Sequence, residues 1–138
     1  MKFECFLTYG IYKLIYQTIK NMKCPFCHIE KEKYIAESEY SFAVYDIHPI
    51  TKGHCLVIPK KHTESFFDLD LRYQYDAVLL LNKVKEMIEL QFHPAGYNIG
   101  INVSKPAGQS IMHAHIHLIP RYGGKIPLGM EDIVRKTL

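Results

Sequence analysis

The seven residues His113-Ala114-His115-Ile116-His117-Leu118-Ile119 constrain this chain more than any other stretch. Histidine recurs at every second position, and the residues between are small or branched and apolar. Among regular backbones only a strand sends alternate side chains to opposite faces, so the spacing predicts a strand with His113, His115 and His117 on one face. Successive imidazoles then stand roughly 7 Å apart, and Ala114, Ile116 and Leu118 point into a core on the other side. One histidine in a strand is usually structural. Three in register ask for a chemical explanation rather than a packing one.

That core needs a covering layer, and one strong helical signal supplies it. From Leu71 to Phe92, the residues Tyr73, Ala77, Leu80, Leu81, Val84, Met87 and Ile88 recur at intervals of three and four, which gives one apolar face. Asp68 and Asp70 are candidates to cap the helix start, and Pro94 and Gly96 end it. Short β-prone runs fill the rest. Residues 34–37 and 41–45 read as a hairpin closed by the turn Asp46-Ile47-His48-Pro49, and 54–59 as a buried strand. Residues 97–103 and 111–120 read as two further strands around the turn-rich loop 104–110. Strands joined by short loops, with one long helix packed on them, predict an α+β domain built on an antiparallel sheet.

The chain's 138 residues leave room for one domain. Hydrophobic residues at 48% and charged residues at 22% exclude wholesale disorder, a fibrous repeat and a multi-pass membrane protein. The formal net charge of +3 suits one phosphorylated ligand and argues against a nucleic-acid groove. Residues 1–21 stand apart as an N-terminal extension ahead of a domain over 22–138. They are aromatic and apolar, interrupted by Lys2, Lys13 and Lys20, with no apolar run long enough to span a bilayer and no cleavage site. Leu7, Ile11, Leu14, Ile15 and Thr18 keep roughly helical spacing, which fits an amphipathic helix, and Met22 offers an alternative start. A cytoplasmic protein with no membrane partner is expected.

Two chemistries compete for the histidines. The strand could ligate one catalytic metal, as His-x-His pairs often do. Alternatively one imidazole is a nucleophile, and its neighbours with a loop bind the anion it attacks. The residues upstream favour the second. Gly108 allows close backbone approach, and Gln109 and Ser110 offer donors suited to phosphate oxygens. A neutral imidazole is a nucleophile at physiological pH, and attack on phosphorus needs such donors for the charge that develops. Cys24-Pro25-Phe26-Cys27 is a second constellation. It lacks the βαβ context of a redox motif, and Cys5 and Cys55 suggest no disulfide framework. As a zinc half-site it needs two more nitrogen or sulfur ligands.

These stretches resemble the histidine triad family. His113 to Ile119 fits the His-φ-His-φ-His-φ-φ motif at every position, and Ala107-Gly108-Gln109-Ser110 and Ile119-Pro120-Arg121 flank it as in family members. Upstream, Asp46-Ile47, Thr51-Lys52-Gly53-His54 and Leu56-Val57-Ile58-Pro59-Lys60-Lys61-His62 match a second block. The resemblance covers about Cys24 to Tyr122. It implies a five-stranded antiparallel sheet with one long helix and a short helix, dimerising into a ten-stranded sheet.

It also implies nucleotide hydrolysis or transfer at an α-phosphate, with no metal required for the chemical step. His115 would attack phosphorus and form a transient nucleotidyl-histidine that water resolves. His117 would hold phosphate oxygens, Gln109 and Ser110 would contact the phosphate and leaving group, and Gly108 would bring the loop close. Asp46 would bind ribose, Asn102 the α-phosphate and sugar, and Ile47 with Leu56 the base, while His54 orients the triad. In prokaryotic members the Cys-x-x-Cys binds structural zinc with two histidines that correspond to His62 and His113. The flanking segments look closest to dinucleoside polyphosphate hydrolases such as those acting on diadenosine tetraphosphate, with nucleoside phosphoramidate hydrolysis as the alternative. Two rivals stand beside these: a slow-turnover nucleotide-binding regulator, and a zinc hydrolase with all three triad histidines as ligands. The short tail after Arg121, where the family sets leaving-group preference, departs from the pattern.

Overall fold

The computed structural model describes residues 4–124. Two long helices, α1 (Glu4–Lys23) and α2 (Leu71–Phe92), accompany five strands: β1 (Ala36–Glu37), β2 (Ser41–Tyr45), β3 (Cys55–Pro59), β4 (Gly96–Gly100) and β5 (Ile116–Arg121). The strands form one antiparallel sheet in the order β1-β2-β3-β5-β4. The strand tails expected before Ala36 and after Gly100 lie outside the ladder. Ser104, a non-glycine residue at φ +71°, turns the chain away into the loop that precedes the histidines.

Alternation sorts the sheet's two faces. Ala43, Cys55, Val57, Ile116 and Leu118 face α2 and bury Ala77, Leu80, Leu81, Val84 and Ile88. Met87, expected on that stripe, sits at its rim and is exposed. Phe42, Val44, Leu56 and Ile58 face the opposite side, where Cys24 and Phe26 cover them. Asp70 occupies the N-cap position of α2 but makes no cap bond; its carboxylate instead accepts from Lys61 Nζ at 3.2 Å. Asp68 ends a single-turn helix whose Ser65 hydroxyl accepts from the Phe67 amide.

Residues 1–21 were expected as an extension with helical spacing, and the helix runs to Lys23, directly before Cys24. Ile11, Leu14, Ile15 and Ile19 on it are half or more exposed. Leu7 lies outside the described side chains. No helix among the described residues is long and apolar enough to cross a membrane.

The pairing register builds the site. Tyr45 pairs with Cys55, so residues 46–54 form one connection that brings Asp46 and His54 to the same sheet end. Leu56 pairs with His117, and so does Gly100 from the other side, which sets the third histidine beside them.

Candidate active site and metal site

β5 begins only at Ile116, so His113 and His115 stand on irregular backbone just ahead of it. They remain anchored, because the Ala114 amide donates to Thr63 O at 2.7 Å and the His113 amide to Ile111 O at 2.8 Å. The three imidazoles therefore part company. His115 and His117 line a cavity of about 470 Å³ with Asp46, Ile47, His54 and Ser110, while His113 turns toward the two cysteines. Leu56 lines the same cavity. Asn102, Gly108 and Gln109 do not reach the cavity wall; Asn102 Nδ2 donates to Gly108 O at 3.4 Å, and the Gln109 side-chain amide is taken up by Ser104, Glu64 and Ile111.

The hydrogen bonds decide which ring nitrogen does what. His115 Nδ1 lies 2.7 Å from the His113 carbonyl, which can only accept, so Nδ1 carries the hydrogen and Nε2 keeps its lone pair. A second chain starts at the Ile50 amide, which donates to His54 Nδ1 at 3.1 Å. The neutral His54 ring then holds its hydrogen on Nε2, which donates to His117 Nδ1 at 3.0 Å. His117 in turn carries its hydrogen on Nε2. One imidazole of the cavity is thus a base and the adjacent one a donor, with ring centres 4.9 Å apart.

Burial keeps both neutral. It pushes His117 down to about 4, helped by the neighbouring His115 and His54 rings. Burial also lowers His115, against the pull of the His113 carbonyl and Asp46. His54 is lowered by burial although Asp46 Oδ2 stands 3.5 Å from its Nε2. Asp46, His54 and His117 place donor atoms within 4.8 Å of one another. With the Ile50 amide on its Nδ1, however, His54 has no lone pair on Nε2 for a cation, so this trio is a hydrogen-bond relay.

Cys24, Cys27, His62 and His113 form the candidate metal site. His113 Nε2 donates to Pro59 O at 2.7 Å, which leaves Nδ1 bare. That Nδ1 stands 3.4 Å from Cys24 Sγ, 3.6 Å from Cys27 Sγ and 3.2 Å from His62 Nδ1, with Cys27 Sγ to His62 Nδ1 at 3.3 Å. A tetrahedral zinc with ordinary bonds would put its nitrogens about 3.3 Å apart and nitrogen and sulfur about 3.6 Å apart. The residues fit the ion. With no cation, burial and then the Cys24 sulfur push the Cys27 thiol up to about 12, so a thiolate at Cys27 needs a positive charge beside it.

Several site residues escaped the sequence reading. Tyr45, His48, Ile50 and Ile111 complete the cavity wall. Phe26, between the two cysteines, packs edge-on against His115 with centroids 5.1 Å apart and against His113 at 5.9 Å. Its signal was present: if both cysteines reach a ligand on the histidine stretch, the residues between them cannot lie far from it.

Residues 29–124 match the family model described as HIT domain. The chain belongs to the HIT family. A HIT protein of Bacillus subtilis, named Protein hit, is 40% identical over 106 residues, 72% of each chain. Adenosine 5'-monophosphoramidase hnt1 of Schizosaccharomyces pombe is 36% identical over 113 residues, covering 79% of this chain and 82% of its own. Bis(5'-adenosyl)-triphosphatase of Dictyostelium discoideum is 33% identical over 93 residues, 67% of this chain and 62% of its own. Among solved structures, a zinc-bound histidine triad family protein from Mycobacterium smegmatis superposes with a TM-score of 0.69 at 31% identity, covering 85% of this chain and 91% of that one.

Proposed function

We propose that this HIT-family nucleotide hydrolase cleaves dinucleoside polyphosphates at the α-phosphate through a nucleotidyl-His115 intermediate. One observation carries the reading: His115 and His117 line one cavity with each Nδ1 already engaged, by the His113 carbonyl and by His54, which leaves His115 Nε2 as a base and His117 Nε2–H as a donor. His115 Nε2 attacks phosphorus, a P–N bond forms, and the bond to the leaving group breaks. The imidazolium so formed keeps its Nδ1–H on the His113 carbonyl, which stabilises the added charge. His117 Nε2–H donates to a phosphate oxygen, and the Ser110 hydroxyl donates a hydrogen bond to the departing atom. Water then breaks the P–N bond, releasing the nucleoside monophosphate and restoring His115. Asp46 accepts from ribose hydroxyls, and Phe26, Ile47 and Leu56 wall the base.

Nucleoside phosphoramidate hydrolysis is the second reading, favoured by the similarity to a monophosphoramidase over 79% of the chain. Both use the same nucleophile and differ only in the leaving atom. Initial rates on diadenosine tetraphosphate, diadenosine triphosphate and an adenosine phosphoramidate, measured in parallel, decide between them. Intact-mass analysis would show the nucleotidyl adduct. His115→Ala should lose at least a thousandfold in rate while still binding nucleotide; an unchanged rate overturns the mechanism.

The same reading gives Cys24, Cys27, His62 and His113 a zinc ion with a structural duty, supported by the fit of their spacing. Zinc there would neutralise two thiolates and tie the chain before Phe26 to the histidine stretch. Free Cys24, Cys27 and Cys55 suit a reducing compartment such as the cytoplasm. A homodimer through the open edge of β4 and the exposed Tyr75, Val78 and Leu79 of α2 would cover those apolar side chains and Ile99.

A further inference from the structure

Gln109 stands next to Ser110, where its amide would be expected to meet phosphate, but the structure commits that amide elsewhere. The residue is 3% exposed. Its Nε2 donates to Glu64 O at 2.7 Å and to Ile111 O at 3.1 Å, which uses both amide hydrogens. Its Oε1 accepts the Ser104 amide at 2.8 Å. The Gln109 main-chain amide returns a bond to Ser104 O at 3.2 Å, so residues 104 and 109 close the loop with a reciprocal pair. Ser104 holds φ +71° and Gly108 φ +87°, and a loop with two left-handed residues needs such a closure to stay in place.

The consequence falls on Ser110. Its upstream neighbour is locked by the Ser104 and Glu64 bonds. Its downstream neighbour Ile111 has its carbonyl shared between Gln109 Nε2 and the His113 amide. Ser110 itself is exposed on the cavity wall beside His115. A short side chain on a backbone pinned at both ends has little freedom left to lose when it meets a ligand.

We infer that Gln109 is a positioning residue for the leaving-group step: it holds the backbone on both sides of Ser110 and does not itself touch the phosphate. This rests on the nucleotidyl-transfer reading of the cavity. Ser110 acts by hydrogen bonding to the departing atom, so its placement matters most when that atom leaves as a poor leaving group. Gln109 inherits the same dependence without contributing to nucleotide binding.

The test measures Gln109→Leu, Ser110→Ala and the double variant on adenylates with leaving groups of graded pKa. Gln109→Leu should lower kcat by about 10- to 100-fold on the poorest leaving group and under threefold on the most activated one, with KM changed less than threefold. In the Ser110→Ala background the same substitution should cost under threefold more, because the two act as one unit. A loss equal across the series, a multiplicative loss in the double variant, or a large rise in KM would overturn the inference. If Gln109→Leu does not fold, Gln109→Asn keeps the amide but cannot span the three partners, and it is read in the same way. A parent protein that turns over no member of the series would refute the nucleotide-hydrolase reading itself, whatever Gln109 does.

Discussion

His117 keeps its proton only on Nε2 because the His54 Nε2–H already fills Nδ1, and burial makes a second proton costly. The native ring sits at about 4, whereas an unfolded histidine titrates near 6.5. Below about pH 6.5 the unfolded chain takes up a proton that the native ring refuses, so stability must fall with pH between those values. The full difference is on the order of 3 kcal/mol. Denaturant melts from pH 7.5 to 4.5 should show this decline, and His117→Gln should make it shallower while buried His54 and His115 keep part of it; parallel curves for the two proteins would refute the assignment. Cys55 is a simpler case. It has no exposed surface, and burial raises its thiol to about 12. It should resist iodoacetamide in the native protein and react once urea unfolds the chain, as mass spectrometry of the labelled peptide would report.

At the scale of elements, the connection from β2 to β3 supplies five cavity-lining residues, Asp46, Ile47, His48, Ile50 and His54, and is held by its own contacts. Thr51 Oγ1 donates to Pro120 O at 2.6 Å, and Gly53 at φ +84° brings the backbone against Phe92. A Cβ at residue 53 would lie 2.9 Å from a Phe92 ring carbon. Gly53→Ala should therefore cost about 2 kcal/mol, combining the left-handed penalty with the clash, and should displace His54; thermal melts and nucleotide binding read the two effects. Ile88→Ala removes a side chain only 1% exposed beneath the sheet and should cost about 2–5 kcal/mol in a urea melt, with the site chemistry intact in the fraction that folds.

The same scale shows where sequence reasoning held and where it gave way. The period of α2 named its buried face almost residue for residue, because a helix packed on a sheet must bury one stripe. Alternation predicts one strand with one histidine face for the stretch 113–119. Its first half is not in the ladder, since Ala114 bonds to Thr63 rather than to a neighbouring strand. That irregular entry is what frees His113 to turn to Cys24 and Cys27 while His115 turns to the cavity. Gln109 is legible as a polar loop residue, but its partners are Ser104 at the other end of its own loop and Glu64, 45 residues away, which no local pattern connects to it.

For the whole molecule, the proposed homodimer and the proposed zinc site each carry a measurable consequence. Leu79→Glu on the exposed face of α2 should convert a dimer to monomer in sedimentation velocity, and a monomeric parent would remove the proposed interface. One zinc per chain should accompany the purified protein, disappear on Cys24→Ser, and lower the melting temperature when stripped by chelation. A zinc hydrolase using all three triad histidines would instead lose the chemical step on chelation at temperatures where the fold persists. The geometry speaks for the first outcome, since His115 and His117 point away from the cysteine cluster.

By itself, the amino-acid sequence determined the inventory: an α+β domain, a helix with a known inner face, and histidines and cysteines of the right kinds in the right order. Those follow from periodicity and from residue chemistry, which are local properties. Only the tertiary structure decided how the histidines divide their duties. The tautomers of His54, His115 and His117 depend on acceptors and donors at Ile50 and His113, and the metal set depends on bringing residue 24 to residue 113. Which nitrogen holds a proton is a property of its partner, and partners distant in sequence meet only when the sheet register places them.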